Sequence, residues 1–358
     1  MNNNVKIVFF VVLFLILIAF GSFWLFDRKH NKITSSTIGR IDVATSTESA
    51  LDESVEVPVV RASQVRRNID GVYVAKGQEN PYPVAVMIDN HKDARPASGI
   101  AKANLVIEAE AEGGVTRYFA VFASGEKIDE IGPIRSARPY FVDWAEGLSA
   151  LYVHVGGSPD ALNKIINDRV YDMNEFYKGK YFWRDTTRKK PHNVYISSNN
   201  LNEYLETKKL SVGDFIPWQF KDDELKENLP ATSSAIKINY RGKDFIVEWK
   251  FDRENNNYVR HLGGEIYKDR TDAIVTAKNV VVQYAKAIVY DDKSRLDMTV
   301  IGTGKALICR DGICEQGTWQ KKTKKDRTRF FIYDMEVAFN AGLTWVNVVR
   351  PYYKVEVN

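Results

Sequence analysis

The residues best suited to chemistry gather in four short stretches. Arg135 and Arg138 flank Ser136. The spacing there predicts a helix from Ser136 to Gly147, with Ser136 as N-cap and Pro139 in the first turn. A helix start offers free N–H groups and partial positive charge. Two arginines beside it would form an anion site, because the guanidinium fork fits phosphate and carboxylate. The competing reading pairs both arginines with Glu108, Glu110 and Glu112. Spaced by two, those glutamates would share one face of a strand. Three such carboxylates repel unless a cation compensates. A solvated strand face is the commoner outcome for Glu alternating with Ala, ahead of a metal site.

His154 ends the apolar run Leu151-Tyr-Val-His-Val155 and is followed by Gly156, Gly157 and Ser158. A strand, a Gly-Gly turn and a helix capped by Ser158 with Pro159 at N1 make a backbone concavity suited to anions. Ser158 reads as a cap and not as a nucleophile, since no Gly-x-Ser-x-Gly elbow is present. The fourth stretch runs from Arg184 to Asn193. It is basic and turn-forming, and solvated surface is the default for such a run. Folded back over the first half of the chain, it would bring His192 and Asn193 to the same cleft. With Arg117, these residues form the candidate ligand-binding set. No catalytic residue, metal ligand or cofactor motif stands out.

The elements that would position them fall into two parts. Strands at Pro83–Ile88, Arg117–Phe122 and Leu151–Val155 alternate with helices, which reads as α+β or α/β. After a boundary near 210–230, strands at 236–240, 245–251, 258–262, 280–284 and 344–349 are separated by turn clusters, which reads as mostly antiparallel β. Trp249, Trp319 and Trp345 lie in those strands, where packing is favoured over a carbohydrate-contact face. The expected division is a tail 1–6, a membrane anchor 7–26, a flexible stalk 27–70, an α/β-type domain 71–215 and a β-rich domain 216–358.

The anchor rests on length. Ile7 to Phe26 carries no charge, and about 20 apolar residues span a bilayer core. A signal peptide would have a shorter apolar core and a small-residue end. Lys6 before the run and Arg28, Lys29 and Lys32 after it would, by the positive-inside rule, put the long part in the cytoplasm. The cysteines point the other way. Asp311-Gly312 is a strong hairpin turn that would set Cys309 opposite Cys314, close enough for a disulfide and hence an oxidising compartment. The formal net charge of +4 is small for 358 residues. With no nucleic-acid motif, direct nucleic-acid binding is not expected.

A family resemblance follows from longer runs. Pro83-Val-Ala-Val-Met-Ile-Asp-Asn90, Ala94-Arg-Pro96 with Ser98-Gly99, Glu112-Gly-Gly-Val-Thr-Arg117, Ile131-Gly-Pro-Ile-Arg-Ser-Ala-Arg138, His154-Val-Gly-Gly-Ser158 and Pro191-His-Asn193 together resemble the bacterial YerB family. Gly304-Lys-Ala, Gly317-Thr-Trp319 and Gly342-Leu-Thr-Trp345 continue the likeness through residues 75–355. The resemblance implies a lipoprotein-like setting outside the plasma membrane and two domains without an established reaction. A lipid-bearing cysteine is missing here, so the apolar helix would take the place of the lipid.

Three functions stay open on this reading. The favoured one is a single-pass plasma-membrane protein of the cell envelope, not an enzyme, that binds an anionic ligand or a protein partner. A second is a phosphate-dependent envelope-polymer transferase, loosely similar to the LytR type, a likeness of fold order only. A third is an anchored protein contacting cytoplasmic DNA-processing machinery, which the charge rule permits.

Overall fold

The computed structural model describes residues 63–231 and 234–358. The expected anchor, and the stalk up to residue 62, lie outside the described residues. Among the described residues no helix is long and apolar enough to cross a membrane. Residues 63–70, expected as stalk, are folded. Gln64–Arg66 pairs with Tyr73–Ala75, and Ile69 and Asp70 are buried.

The first half supplies β1 (Pro83–Asp89), β2 (Leu105–Glu110), β3 (Thr116–Ala123), α1 (Pro139–Glu146), β4 (Leu151–His154), α2 (Pro159–Asp168), β5 (Asp172–Asn174) and α3 (Ser198–Lys208). The second half supplies β6 (Ala235–Asn239), β7 (Ile246–Asp252), β8 (Asn257–Leu262), β9 (Asn279–Tyr284), β10 (Gly302–Arg310), β11 (Ile313–Lys321), β12 (Arg329–Ile332), β13 (Met335–Glu336), β14 (Thr344–Val349) and β15 (Val355–Val357). The described chain is mostly β with few helices.

The two halves do not make separate sheets. Among the described residues, eleven strands form one sheet in the order β13-β12-β11-β10-β9-β14-β2-β3-β1-β4-β5. The join is β14 beside β2, parallel, with Trp345 opposite Val106 and Asn347 opposite Glu108. One sheet therefore crosses the expected boundary near 216. The second half is not purely antiparallel either, since β9 and β14 run parallel.

Both faces of this sheet are covered, which is why its strands read as continuous apolar runs. Val84, Val86, Ile88, Val280 and Val282 face one way and pack with Ile236, Ile238, Val247, Trp249 and Tyr258 of a smaller sheet ordered β8-β7-β6-β15. Ala85, Met87, Phe119 and Val281 alternate to the other face and pack with Phe141, Trp144 and Ile165 of α1 and α2. Trp249, Trp319 and Trp345 are all buried within this packing. Burial of each large apolar side chain contributes about 1.5–3 kcal/mol.

Cys309 and Cys314 are register partners on β10 and β11 and are disulfide-bonded. The turn between them has positive φ at both Asp311 and Gly312, as a two-residue hairpin turn of this hand requires.

Candidate functional site

β1 and β2 both pair antiparallel with β3, so their carboxyl ends and the start of β3 share one edge of the sheet. Asp89 ends β1 and lies opposite Arg117 on β3. Glu112 follows β2 in the tight turn to β3. The segment 133–138 is strapped to the same edge: Asp89 N–H donates to Pro133 O at 2.8 Å and Arg135 N–H to Met87 O at 2.8 Å. This brings Arg135 and Arg138 over the strand ends.

The guanidiniums converge on two carboxylates. Arg117 Nη2 donates to Glu112 at 2.8 Å, and Arg138 pairs with the other oxygen of the same carboxylate. Arg135 Nε lies 3.1 Å from Asp89 Oδ2. His192 reaches the same oxygen through Nδ1 at 2.6 Å. Burial alone would push the Asp89 carboxyl up. The His192 hydrogen bond and the Arg135 charge outweigh it and hold Asp89 below the ordinary carboxylate range. Arg135 and Arg138 are both drawn below the usual arginine range, first by burial, with repulsion from Arg117 acting on each.

The basic loop does fold back. Arg188 donates to Pro96 O at 2.7 Å and Asp185 meets Arg270 at 2.6 Å. Asn193 does not face the cluster. It is buried, accepts from Arg184 Nη1 at 3.1 Å and donates to Asp185 O at 3.3 Å, so it holds the loop that carries His192.

His154, Gly156, Gly157 and Ser158 lie outside the guanidinium cluster. The ring of His154 is fully buried, with Nδ1 2.7 Å from Gly156 O and Nε2 3.2 Å from Asp172. Two of the N–H groups expected to cradle an anion are engaged: Gly156 N–H donates to Asn174 Oδ1 and Ser158 N–H to Ala137 O. Ser158 caps α2 by accepting from Ala161 N–H at 3.3 Å. The turn acts instead on the arginines, because Val155 N–H donates to Arg135 O and Ala137 N–H to Gly156 O. Gly156 has φ +59°, and a Cβ there would meet the Phe176 ring at 2.8 Å.

Two local expectations are corrected. Ser136 is not the cap of α1; the helix begins at Pro139 with Arg138 in the cap position and no side-chain cap bond. Strand-like pairing of residues 134–137 with β1 and with the Gly156-Gly157 turn delays the helix by two residues. The glutamates are not a solvated face. Glu108 is fully buried against Arg260 at 2.8 Å, and Glu110 pairs with Arg350 at 2.7 Å. Glu108 and Glu110 each have one arginine, both from the second half, and Glu112 has two from the first.

Sequence reasoning missed His91 and Asp93. The ring of His91 stacks on His192 with centroids 4.7 Å apart and planes 14° apart. The signal available was the position of His91 two residues past Asp89, at the carboxyl end of a buried strand, where α/β folds place ligands.

Residues 70–211 match the family described as "Protein of unknown function (DUF3048) N-terminal domain", and residues 236–346 match its C-terminal domain. A Bacillus subtilis (strain 168) protein named "Putative lipoprotein YerB" is 32% identical over 294 residues, covering 80% of this chain and 87% of that protein. The crystal structure of the YerB protein from Bacillus subtilis superposes with a TM-score of 0.73 at 29% identity, covering 82% of this chain and 99% of the other. Two domain matches in sequence and one shared sheet in space describe the same unit: this chain belongs to the DUF3048 family of YerB-like proteins.

Proposed function

We propose that this chain is a membrane-attached protein of the cell envelope, with its folded part outside the plasma membrane, that binds an anionic ligand at Arg117, Arg135 and Arg138. The envelope setting is supported by the lipoprotein name of the Bacillus subtilis relative. Residues 7–26 serve as anchor in place of a lipid-bearing cysteine.

The observation that carries the ligand is the charge count at one edge of the sheet. Three guanidiniums meet two carboxylates, Glu112 and Asp89, which leaves one positive charge over within the ion-paired cluster, with the exposed Asp93 beside His91 at its rim. Exposed Lys189 and Lys190 add to it from the loop. Partial burial makes that excess strong, since charges in a low-dielectric pocket are poorly screened. A phosphate-bearing ligand suits the guanidinium fork.

The test is a titration of the full chain with inorganic pyrophosphate. Arg135→Ala combined with Arg138→Ala is expected to weaken binding at least about tenfold, the scale of losing charge-assisted hydrogen bonds. Equal affinity in the folded variant would refute the site. If the chain takes up no anion, a protein partner at the same edge becomes the better reading.

One observation favours a second reading. His192 and Asp89 form a histidine–carboxylate pair beside Arg135, an arrangement able to serve as general base in phosphoryl transfer. Turnover of a polyprenyl-pyrophosphate sugar, lost in His192→Ala, would support the transferase.

A further inference from the structure

We propose that His91, His192 and Asp93 form a binding site for a divalent transition metal of the zinc class, with Asp89 as the carboxylate that orients His192. One ligand atom from each of the three residues lies within 4.8 Å of the others. Two imidazoles and one carboxylate are a ligand set suited to zinc and its neighbours, whereas magnesium and calcium take oxygen.

His192 Nδ1 donates to Asp89 Oδ2 at 2.6 Å, which leaves the lone pair on Nε2. Asp89 is 2% exposed and is itself fixed, by Arg135 and by the His91 amide N–H donating to Oδ1 at 2.9 Å. A carboxylate behind a ligating histidine fixes its tautomer and orientation, the common outer arrangement of metal sites. His91 carries its lone pair on Nδ1, which accepts the Asp93 amide N–H at 3.3 Å and lies 3.6 Å from Asp93 Oδ2. Ligands at about 2.0–2.1 Å from one ion stand roughly 3.3 Å apart in a tetrahedral site. The His91–Asp93 pair is close to that spacing already. Metal binding turns the His91 ring and releases the Asp93 amide N–H, a change at the more exposed pair, Asp93 at 61% and His91 at 34%, while the better buried His192 stays on Asp89.

The two rings are stacked with planes 14° apart, and an imidazole lone pair lies in its ring plane, so a shared ion requires the His91 ring to turn out of the stack. The two rings come from segments far apart in sequence. Three protein ligands leave a coordination position open for water or for an anion oxygen.

The site is tested with metal alone, so failure of the anion reading leaves the result readable. The full chain is purified without a polyhistidine tag, stripped with chelator and titrated with Zn2+. One ion per chain is expected. His91→Ala and His192→Ala should each weaken binding at least about tenfold, and Asp89→Asn by about 10–100-fold. Co2+ added to the unaltered chain should give visible absorption of a four- or five-coordinate ion, displaced by Zn2+; this readout requires no variant to fold. Absence of stoichiometric Zn2+ uptake by the unaltered chain overturns the proposal. So does unchanged uptake in a folded variant lacking both histidines.

Discussion

His192 donates through Nδ1 to Asp89 at 2.6 Å across 103 residues of chain. That bond ties the basic loop to the end of β1, where Asp89 also meets Arg135 and the His91 amide. Asp89→Ala removes all three contacts at once and leaves the part-buried Arg135 and His192 without their shared carboxylate. It is expected to cost about 3 kcal/mol in urea unfolding, on the scale of breaking a buried pair. Hydrogen exchange across 184–193 should quicken. A loss below about 1 kcal/mol would mean that Asp89 is not the joint of the site.

A second pair is deeper. Glu108 and Arg260 are both fully buried and 2.8 Å apart. The arginine lies over the Trp345 ring at 4.4 Å, and Trp345 Nε1 donates to the same carboxylate at 3.2 Å. Glu108→Gln or Arg260→Met alone leaves a buried group uncompensated and should cost about 3–5 kcal/mol. The double variant should recover part of that loss. Strict additivity in a double-mutant cycle would contradict coupling between the two sheets through this pair.

Lys321 gives the pH dependence. Its side chain is fully buried, and its ammonium donates to the carbonyls of Lys324, at 2.8 Å, and Asp326. Burial pushes it down to about 8. The unfolded chain keeps that proton to roughly pH 10.4, so above pH 8 the unfolded state binds more protons. Stability contributed here therefore rises with pH between about 8 and 10, with a slope of at most about 1.4 kcal/mol per unit. Unfolding midpoints at pH 7.5 and 9.5 should show this rise in the unaltered chain and not in Lys321→Met. Parallel profiles would assign the slope to other groups.

Much of this fold is legible in the sequence, and the remainder is not local. The runs at β1, β3 and β4 are apolar enough to be read as buried strands, and Ser158 with Pro159 marks the start of α2. Arg117, Arg135 and Arg138 are recognisable as cations near strand ends, and His192 as part of a loop that would fold back to them. The pairing of β14 with β2 leaves no local mark, because parallel neighbours need no turn between them. Glu108 looks solvated for the same reason: its partner Arg260 lies 152 residues away. The Gly156-Gly157 turn reads as an anion cradle until Asn174 is seen to take the Gly156 N–H and Ala137 the Ser158 N–H.

The disulfide and the side of the membrane are checked together. A reporter fused after Asn358 and active only in the oxidising compartment is expected to be active. The chain should carry no titratable thiol when denatured without reductant. Cys309→Ser with Cys314→Ser should cost about 2 kcal/mol, the loop-closure scale for so short a ring. An inactive reporter with two free thiols would place the folded part in the cytoplasm.

The sharpest measurement is the pyrophosphate affinity of Glu112→Gln. Glu112 partners both Arg117 and Arg138, and removing its charge leaves the guanidiniums nearly isosteric but less neutralised. An anion site predicts tighter binding in this variant, by several-fold or more, with the gain shrinking as salt is raised. Unchanged or weaker binding by a folded Glu112→Gln chain would contradict it, and would leave the arginines as cross-braces of the strand ends.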